Sequence, residues 1–266
     1  MFNSKNISKP AMLRLFLFAG ITFLSSFSIF KEKKPTFFII GDSTVKNGQG
    51  KGGGGLWGWG DFIAPYFDTS KIKIENDALG GTSSRTFQNK LWDGILGKVE
   101  KGDFVIMQFG HNDSSPLDDT ARARGTISGT GDDSKEIFNP ITQQNEVVHT
   151  YGWYMRKFAD DVLAKGAIPI ICSPIPRNDW KDGKVSRSTN SYAKWAAEVA
   201  KSEGAYFVDL NNLVAAKYEE MGADKVKPFF PGDHTHTNID GAKLNAELVV
   251  QSLKASGPKE LKKHFK

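Results

Sequence analysis

With 266 residues and 39% hydrophobic content, the chain has apolar material for one sizeable core, which excludes a disordered or fibrous polymer. The formal net charge of +5 falls to about +2 once residues 1–30 are set apart, because they hold three of the 35 basic residues and none of the 30 acidic ones. Lys and Arg are otherwise scattered, so no basic face for a nucleic-acid partner is legible, and a single cysteine, Cys172, excludes an intramolecular disulfide.

The chain opens with Lys5, Lys9 and Arg14, followed by 16 uncharged residues from Leu15 to Phe30. A basic start, an apolar centre and small residues at Ser26 and Ser28 make the plan of a secretory leader over 1–30. The alternative is a retained anchor, but the run falls short of the roughly 20 residues needed to cross a bilayer. Export to the periplasm or the medium is expected, with no stable membrane span after cleavage and one catalytic domain over 31–266.

From there, apolar runs and helical periods alternate. The runs are TFFIIG (36–41), KIKIEN (71–76), DFVIMQFG (103–110), AIPIICS (167–173) and AYFVDL (205–210). Most are continuous rather than alternating, as in strands buried on both faces of a parallel sheet. Cys172 lies in the fourth run, which marks it as a buried, inert thiol. Helical spacing covers about 58–67, Val147 to Leu163, 191–203, 211–221 and 239–254. Residues 114–145 have few apolar positions and no period, and a loop this long in a compact domain is functional or disordered. The dense tail KELKKHFK reads as a solvated chain end. Alternation of strand and helix predicts a doubly wound α/β sandwich, with ligands at the carboxyl edge of the sheet.

Three polar clusters fall at that edge, GDST (41–44), NDALGGTSSR (76–85) and GHND (110–113), and a fourth, PGDHTHTN (231–238), lies just before the last helical segment. An acyl-transfer site needs a hydroxyl on a tight turn, an imidazole to take its proton, a carboxylate to orient the imidazole, and donors for the developing oxyanion. Ser43 fits the first role, His236 the second and Asp233 the third. The backbone N–H groups of Ser43 and Gly81 and the side-chain amide of Asn112 fit the last. Each signal has a plainer reading. Ser43 is also an ordinary turn residue, Asn112-Asp113 an Asx-turn or helix cap, and Asp233-x-x-His236 a surface loop.

Taken together, IIGDSTV, NDALGGTSSRTF, MQFGHND and FPGDHTHTN resemble the four blocks of the SGNH hydrolase superfamily, the GDSL esterases and lipases. GDST with GHND and DHTH, together with GWGDFIAPYF (58–67), GTG (129–131) and IPRNDW (175–180), is similar to its rhamnogalacturonan acetylesterase-like branch. The resemblance implies a three-layer α/β/α sandwich on a flavodoxin-like parallel five-stranded sheet. It also implies a Ser43–His236–Asp233 triad, an oxyanion hole of Ser43, Gly81 and Asn112, and no metal or organic cofactor. The substrate would be an acetylated polysaccharide or oligosaccharide, most readily pectic rhamnogalacturonan, with acetylxylan as the alternative, and the enzyme would act as a monomer. Trp180, in the loop after the fourth run, is a candidate for stacking on sugar. Arg85 either meets an acidic sugar or pairs with a neighbouring carboxylate.

Three rival readings remain on residues alone. The glycine cluster at 48–55 suggests a phosphate cradle, but Lys51 is followed by Gly52 rather than Ser or Thr. Asp233, His234 and His236 offer three metal ligands. Trp57, Trp59, Trp153, Trp180 and Trp195 suggest a carbohydrate-binding module, although Trp153 and Trp195 fall in helical patterns that place them in the core.

Overall fold

The five apolar runs fold as strands of one sheet. The structure, a computed structural model, describes residues 33–266, and Lys34–Lys266 form one compact unit. The leader expected over 1–30 lies outside the described residues. In chain order the strands are β1 (Thr36–Gly41), β2 (Lys73–Asn76), β3 (Phe104–Gln108), β4 (Ser134–Asn139), β5 (Gln144–His149), β6 (Ile168–Cys172), β7 (Trp180–Lys181), β8 (Lys184–Val185) and β9 (Tyr206–Val208). The central sheet has the order β2-β1-β3-β6-β9, and every pair in it is parallel. This is the flavodoxin order, in which the chain leaves β1 toward β2 and crosses back to β3, so a crevice opens at the carboxyl ends of β1 and β3.

Successive side chains of a strand face opposite sides, and here both sides are core. Phe37 and Ile39 of β1 join Phe104, Ile106, Ile170 and Cys172 in one apolar cluster, while Phe38 and Ile40 join Val105, Met107 and Ile171 in the other. Covering the sheet are α1 (Ser84–Phe87), α2 (Asp93–Leu96), α3 (Tyr151–Ala164), α4 (Tyr192–Ser202), α5 (Leu210–Met221), α6 (Ala223–Val226), α7 (Ile239–Ser256) and α8 (Lys259–Lys262). Side chains of α5 and α7 complete the first cluster, and those of α3 and α4 complete the second. The result is the expected three-layer α/β/α sandwich. Burial of each Phe or Ile contributes about 2 kcal/mol, so the odd–even split of β1 itself ties both helical layers to one strand. Burial also pushes the Cys172 thiol well above its usual range, which leaves it unreactive.

Several local expectations give way. The helix expected over 58–67 is two 3-10 turns, Trp59–Phe62 and Ala64–Tyr66, with Pro65 inside the second. The helix expected from Val147 starts at Tyr151, because Thr150 caps it by accepting from the Trp153 N–H at 3.0 Å and Val147 lies in β5. Within the long aperiodic segment, β4 and β5 form an antiparallel hairpin. Between β2 and β3, α1 and α2 are joined by a π-turn, Gln88–Trp92. The tail is not a free chain end: its lysines are exposed, but Leu261 and His264 are buried, and the Phe265 ring packs on Phe67 with centroids 4.5 Å apart.

Candidate active site

The turn bearing Ser43 is fixed from beneath. A Cβ on Gly41 would stand 2.5 Å from Val45 Cγ2 and 2.6 Å from the Gln108 carbonyl, so only glycine fits where β1 ends. Buried Asp42 accepts the Thr44 N–H at 2.8 Å and the Thr44 hydroxyl at 2.7 Å on Oδ1, and its Oδ2 faces His111 Nδ1 at 3.3 Å. His111 Nε2 lies 3.0 Å from the Ile175 carbonyl. The Gln108 side chain accepts from Trp59 Nε1 at 3.0 Å and donates to the Thr44 hydroxyl. Burial pushes the Asp42 carboxyl up, but the attraction and hydrogen bond of His111 and the Thr44 donors outweigh it and hold it below its ordinary value. Asp42 thus braces the turn while Ser43 stands above it.

His236 arrives on the loop before α7, pinned to the Ser43 side where the Trp57 N–H donates to the Thr237 carbonyl at 2.9 Å. Asp233 curls this loop: its Oδ1 accepts the Thr235 and His236 N–H groups at 2.7 and 2.8 Å, and its Oδ2 meets His236 Nδ1 at 2.6 Å. Burial raises the Asp233 carboxyl, but the bond to the His236 ring and the two backbone donors more than offset this and lower it to about 2. An ionised carboxylate on Nδ1 directs the ring proton there and turns the Nε2 lone pair outward. Nε2 lies 2.8 Å from Ser43 Oγ.

Opposite the hydroxyl stand Gly80, Gly81 and Asn112. A Cβ on Gly80 would come within 3.5 Å of Ser43 Cβ, and Gly81 has φ +84°, a left-handed conformation that suits glycine. Asn112 donates one amide hydrogen to the Thr82 carbonyl at 2.7 Å, which aims the amide and leaves its second hydrogen for a ligand. The next residue, Asp113, is fully buried and takes the Ser84 N–H at 3.1 Å. Burial raises its carboxyl to about 7, and its Oδ2 has no hydrogen-bond partner among the described residues.

Ser43, Gly81, Asn112 and His236 line one open cavity of about 710 Å³, a size that admits a segment of oligosaccharide. Asn47, Gly48 and Gln49 edge the same cavity, which gives the start of the glycine cluster a place at the cleft. Asp233 stands behind His236. The other two proposed contacts lie elsewhere. Arg85 is fully buried, grips Glu146 through Nε at 2.7 Å and Nη2 at 2.5 Å, and gives Nη1 to the Leu117 and Gly125 carbonyls, so it meets no sugar. Trp180 packs half-buried against the first apolar cluster, donates to Asn178 Oδ1 at 2.7 Å, and does not line the cavity. His234 turns from His236 toward Asp179, with Nδ1 to Oδ1 at 2.7 Å, so the Asp233-His234-His236 cluster does not converge. The cavity wall also holds Arg122 and Arg124, which sequence reasoning passed over. Their signal was ARARG (121–125), inside a segment already assigned to the carboxyl edge.

Residues 37–249 match the GDSL-like lipase/acylhydrolase family. A rhamnogalacturonan acetylesterase of Emericella nidulans is 34% identical over 84% of this chain and 86% of its own length. A probable rhamnogalacturonan acetylesterase of Bacillus subtilis, YesY, is 28% identical over 83% of this chain and 93% of its own. The crystal structure of Bacillus subtilis YxiM superposes with a TM-score of 0.68 at 27% identity, covering 86% of this chain and 58% of that one.

Proposed function

The chain belongs to the GDSL-like lipase/acylhydrolase family, and on that premise we propose that it is an exported serine esterase that removes acetyl groups from a polysaccharide, rhamnogalacturonan foremost. The carrying observation is the line from Asp233 Oδ2 through His236 to Ser43 Oγ, with gaps of 2.6 and 2.8 Å, at the wall of an open cavity. Two relatives that match over most of their length bear the rhamnogalacturonan acetylesterase name, which sets the order in which substrates are tried.

In this reading His236 Nε2 takes the Ser43 proton as Oγ attacks the acetyl carbonyl. The oxyanion rests on the N–H groups of Ser43 and Gly81 and the free amide hydrogen of Asn112, each such donor being worth about 3 kcal/mol in the transition state. The imidazolium, held by Asp233, passes its proton to the departing sugar hydroxyl. Water then attacks acetyl-Ser43 with His236 again as base, and acetate leaves. Nucleophile, base and donors all come from one chain, so a monomeric single catalytic domain suffices. The leader-like residues 1–30 would carry it out to a polymer that cannot enter a cell.

Acetate release from acetylated rhamnogalacturonan, xylan and mannan tests the reading. The wild type should act first on the pectic polymer, and Ser43→Ala should be inert on all three. Activity that survives Ser43→Ala and is lost to a chelator would overturn it in favour of metal-based hydrolysis.

A further inference from the structure

The cavity beside Ser43 is charged in one direction. Lys46, Arg122 and Arg124 all reach its wall, and no Asp or Glu lines it, although the chain beyond residue 30 is nearly balanced in charge. Lys46 is committed to the Asn76 carbonyl at 2.8 Å. Arg124 is partly committed, with Nη1 to the Gly81 carbonyl at 2.9 Å and Nε to Ser115 Oγ at 3.2 Å. The Arg122 guanidinium makes no hydrogen bond or ion pair among the described residues.

The two arginines are held together rather than left to diverge. Positions for Arg122 Nη1 and Arg124 Nη1 lie 3.7 and 3.9 Å from where a Cβ on Gly81 would stand, so both guanidiniums border the Gly81 turn. Ala123 between them takes φ +43°, and Asp119 gives its oxygens to the backbone N–H groups of Ala121, Arg122 and Ala123 at 3.0, 2.8 and 2.9 Å rather than to either guanidinium. Burial, and then the Arg122 charge, push the Arg124 guanidinium down from its usual range. The charges of Asp119, Asp42 and Asp113 offset only part of this; on a wall that no carboxylate lines, two like charges repel one another, and a ligand with a planar anion relieves that cost, because a guanidinium fork matches a carboxylate with two parallel hydrogen bonds.

We propose that Arg122, backed by Arg124, binds the carboxylate of a uronic acid residue in the acetylated glycan, in the sugar that carries the acetyl group or in its neighbour. The proposal rests on the acetylesterase reading for what enters the cavity, and it adds a requirement for acid that the triad alone does not impose. Arg122 sets which chain is accepted, and Ser43 acts on whatever acetyl group that places before it.

Calorimetry with deacetylated oligosaccharides separates this site from the esterase chemistry. The probes are an alternating galacturonate–rhamnose oligomer, a neutral xylo-oligomer of equal length and a sulfated neutral oligomer, titrated into the wild type, Arg122→Gln and Arg122→Lys. The wild type should prefer the uronate oligomer, and the preference should shrink as salt rises. Arg122→Gln should lose about tenfold in affinity for it, the scale of one charge-assisted contact, with the neutral oligomer unaffected, and Arg122→Lys should recover part of the loss. In acetate release, Arg122→Gln should raise KM for the acidic polymer with kcat little changed. Equal binding of uronate and neutral oligomers, indifference to Arg122→Gln, or tighter binding of the sulfated oligomer would each overturn the proposal. A wild type that binds the uronate oligomer through Arg122 yet releases no acetate would uphold the site and sink the esterase reading.

Discussion

Two histidine–aspartate pairs stand two residues apart in DHTH, and they are built alike on one side and differently on the other. His236 presents Nδ1 to Asp233 at 2.6 Å, and His234 presents Nδ1 to Asp179 at 2.7 Å. Beyond the ring, His236 Nε2 meets the Ser43 hydroxyl at 2.8 Å, whereas His234 Nε2 meets Arg177 Nη1 at 3.2 Å. A hydroxyl can give up its proton to an imidazole, but a guanidinium occupies the imidazole lone pair as a donor and keeps its proton. The lesson is that a carboxylate behind a histidine prepares a base only when the far nitrogen faces something worth deprotonating.

The sharpest way to break this comparison is to remove each histidine in turn. His236→Ala and Ser43→Ala should each lower acetyl-ester hydrolysis by roughly 10⁶-fold, as expected when one member of a cooperating set is lost. His234→Ala should cost less than about tenfold, since it takes away only the exposed contacts to Asp179 and Arg177. Equal losses from His236→Ala and His234→Ala in an acetate-release assay would mean that the Ser43 contact is not what distinguishes them. One step down, Asp233→Asn should lower kcat by roughly 10⁴-fold with the fold intact, because an amide can hold the wrong tautomer of His236. Asp179→Asn should leave kcat within about threefold of the wild type, as befits an exposed pair.

How much of this was legible in the chain varies with the range of the interactions. The central strands could be read because Phe37 to Ile40, Phe104 to Met107 and Ile170 to Cys172 are buried on both faces, which leaves a continuous apolar run. The β4–β5 hairpin could not, because most of its side chains are exposed and only a few, such as Ile137 and Val148, are buried. It is secured at a distance, by Glu146 reaching Arg85. The same holds at the site. Ser43, Gly81, Asn112, Asp233 and His236 lie in short blocks whose spacing resembles a known family. Arg122 and Arg124 acquire meaning only when their loop folds back on Gly81, which no local pattern announces. The tail misled for a related reason: its charges are conspicuous, and its burial depends on Phe67, nearly two hundred residues away.

The comparison extends to carboxylates, since Asp233 is half-exposed and ionised while Asp113 is fully buried and raised to about 7. A raised carboxyl favours the folded state most at low pH. Its contribution is complete below the ordinary value near 3.8 and is lost as pH rises through about 7. The shift corresponds to about 4 kcal/mol at most. Thermal denaturation followed from pH 4 to pH 8 should therefore show the wild type losing stability over that window and Asp113→Asn losing less, because the amide carries no charge to bury. Parallel curves for the two proteins would show that Asp113 is not the group being titrated.

What the Ser43 side has and the His234 side lacks is a set of donors across from the reacting atom, and Asn112 is the one that mutation can remove without touching the backbone. Its anchoring bond to the Thr82 carbonyl, at 2.7 Å, fixes the amide, so in the proposed mechanism its free hydrogen would need no reorganisation as the oxyanion forms. Asn112→Ala should lower kcat by about 10²- to 10³-fold and leave KM nearly unchanged, because the ground-state carbonyl gains little from that donor. Asn112→Asp should be at least as damaging, since it sets a negative charge where one must develop. A loss expressed mainly in KM would make Asn112 a substrate-binding residue, and the difference between the two sides of DHTH would then rest on the hydroxyl alone.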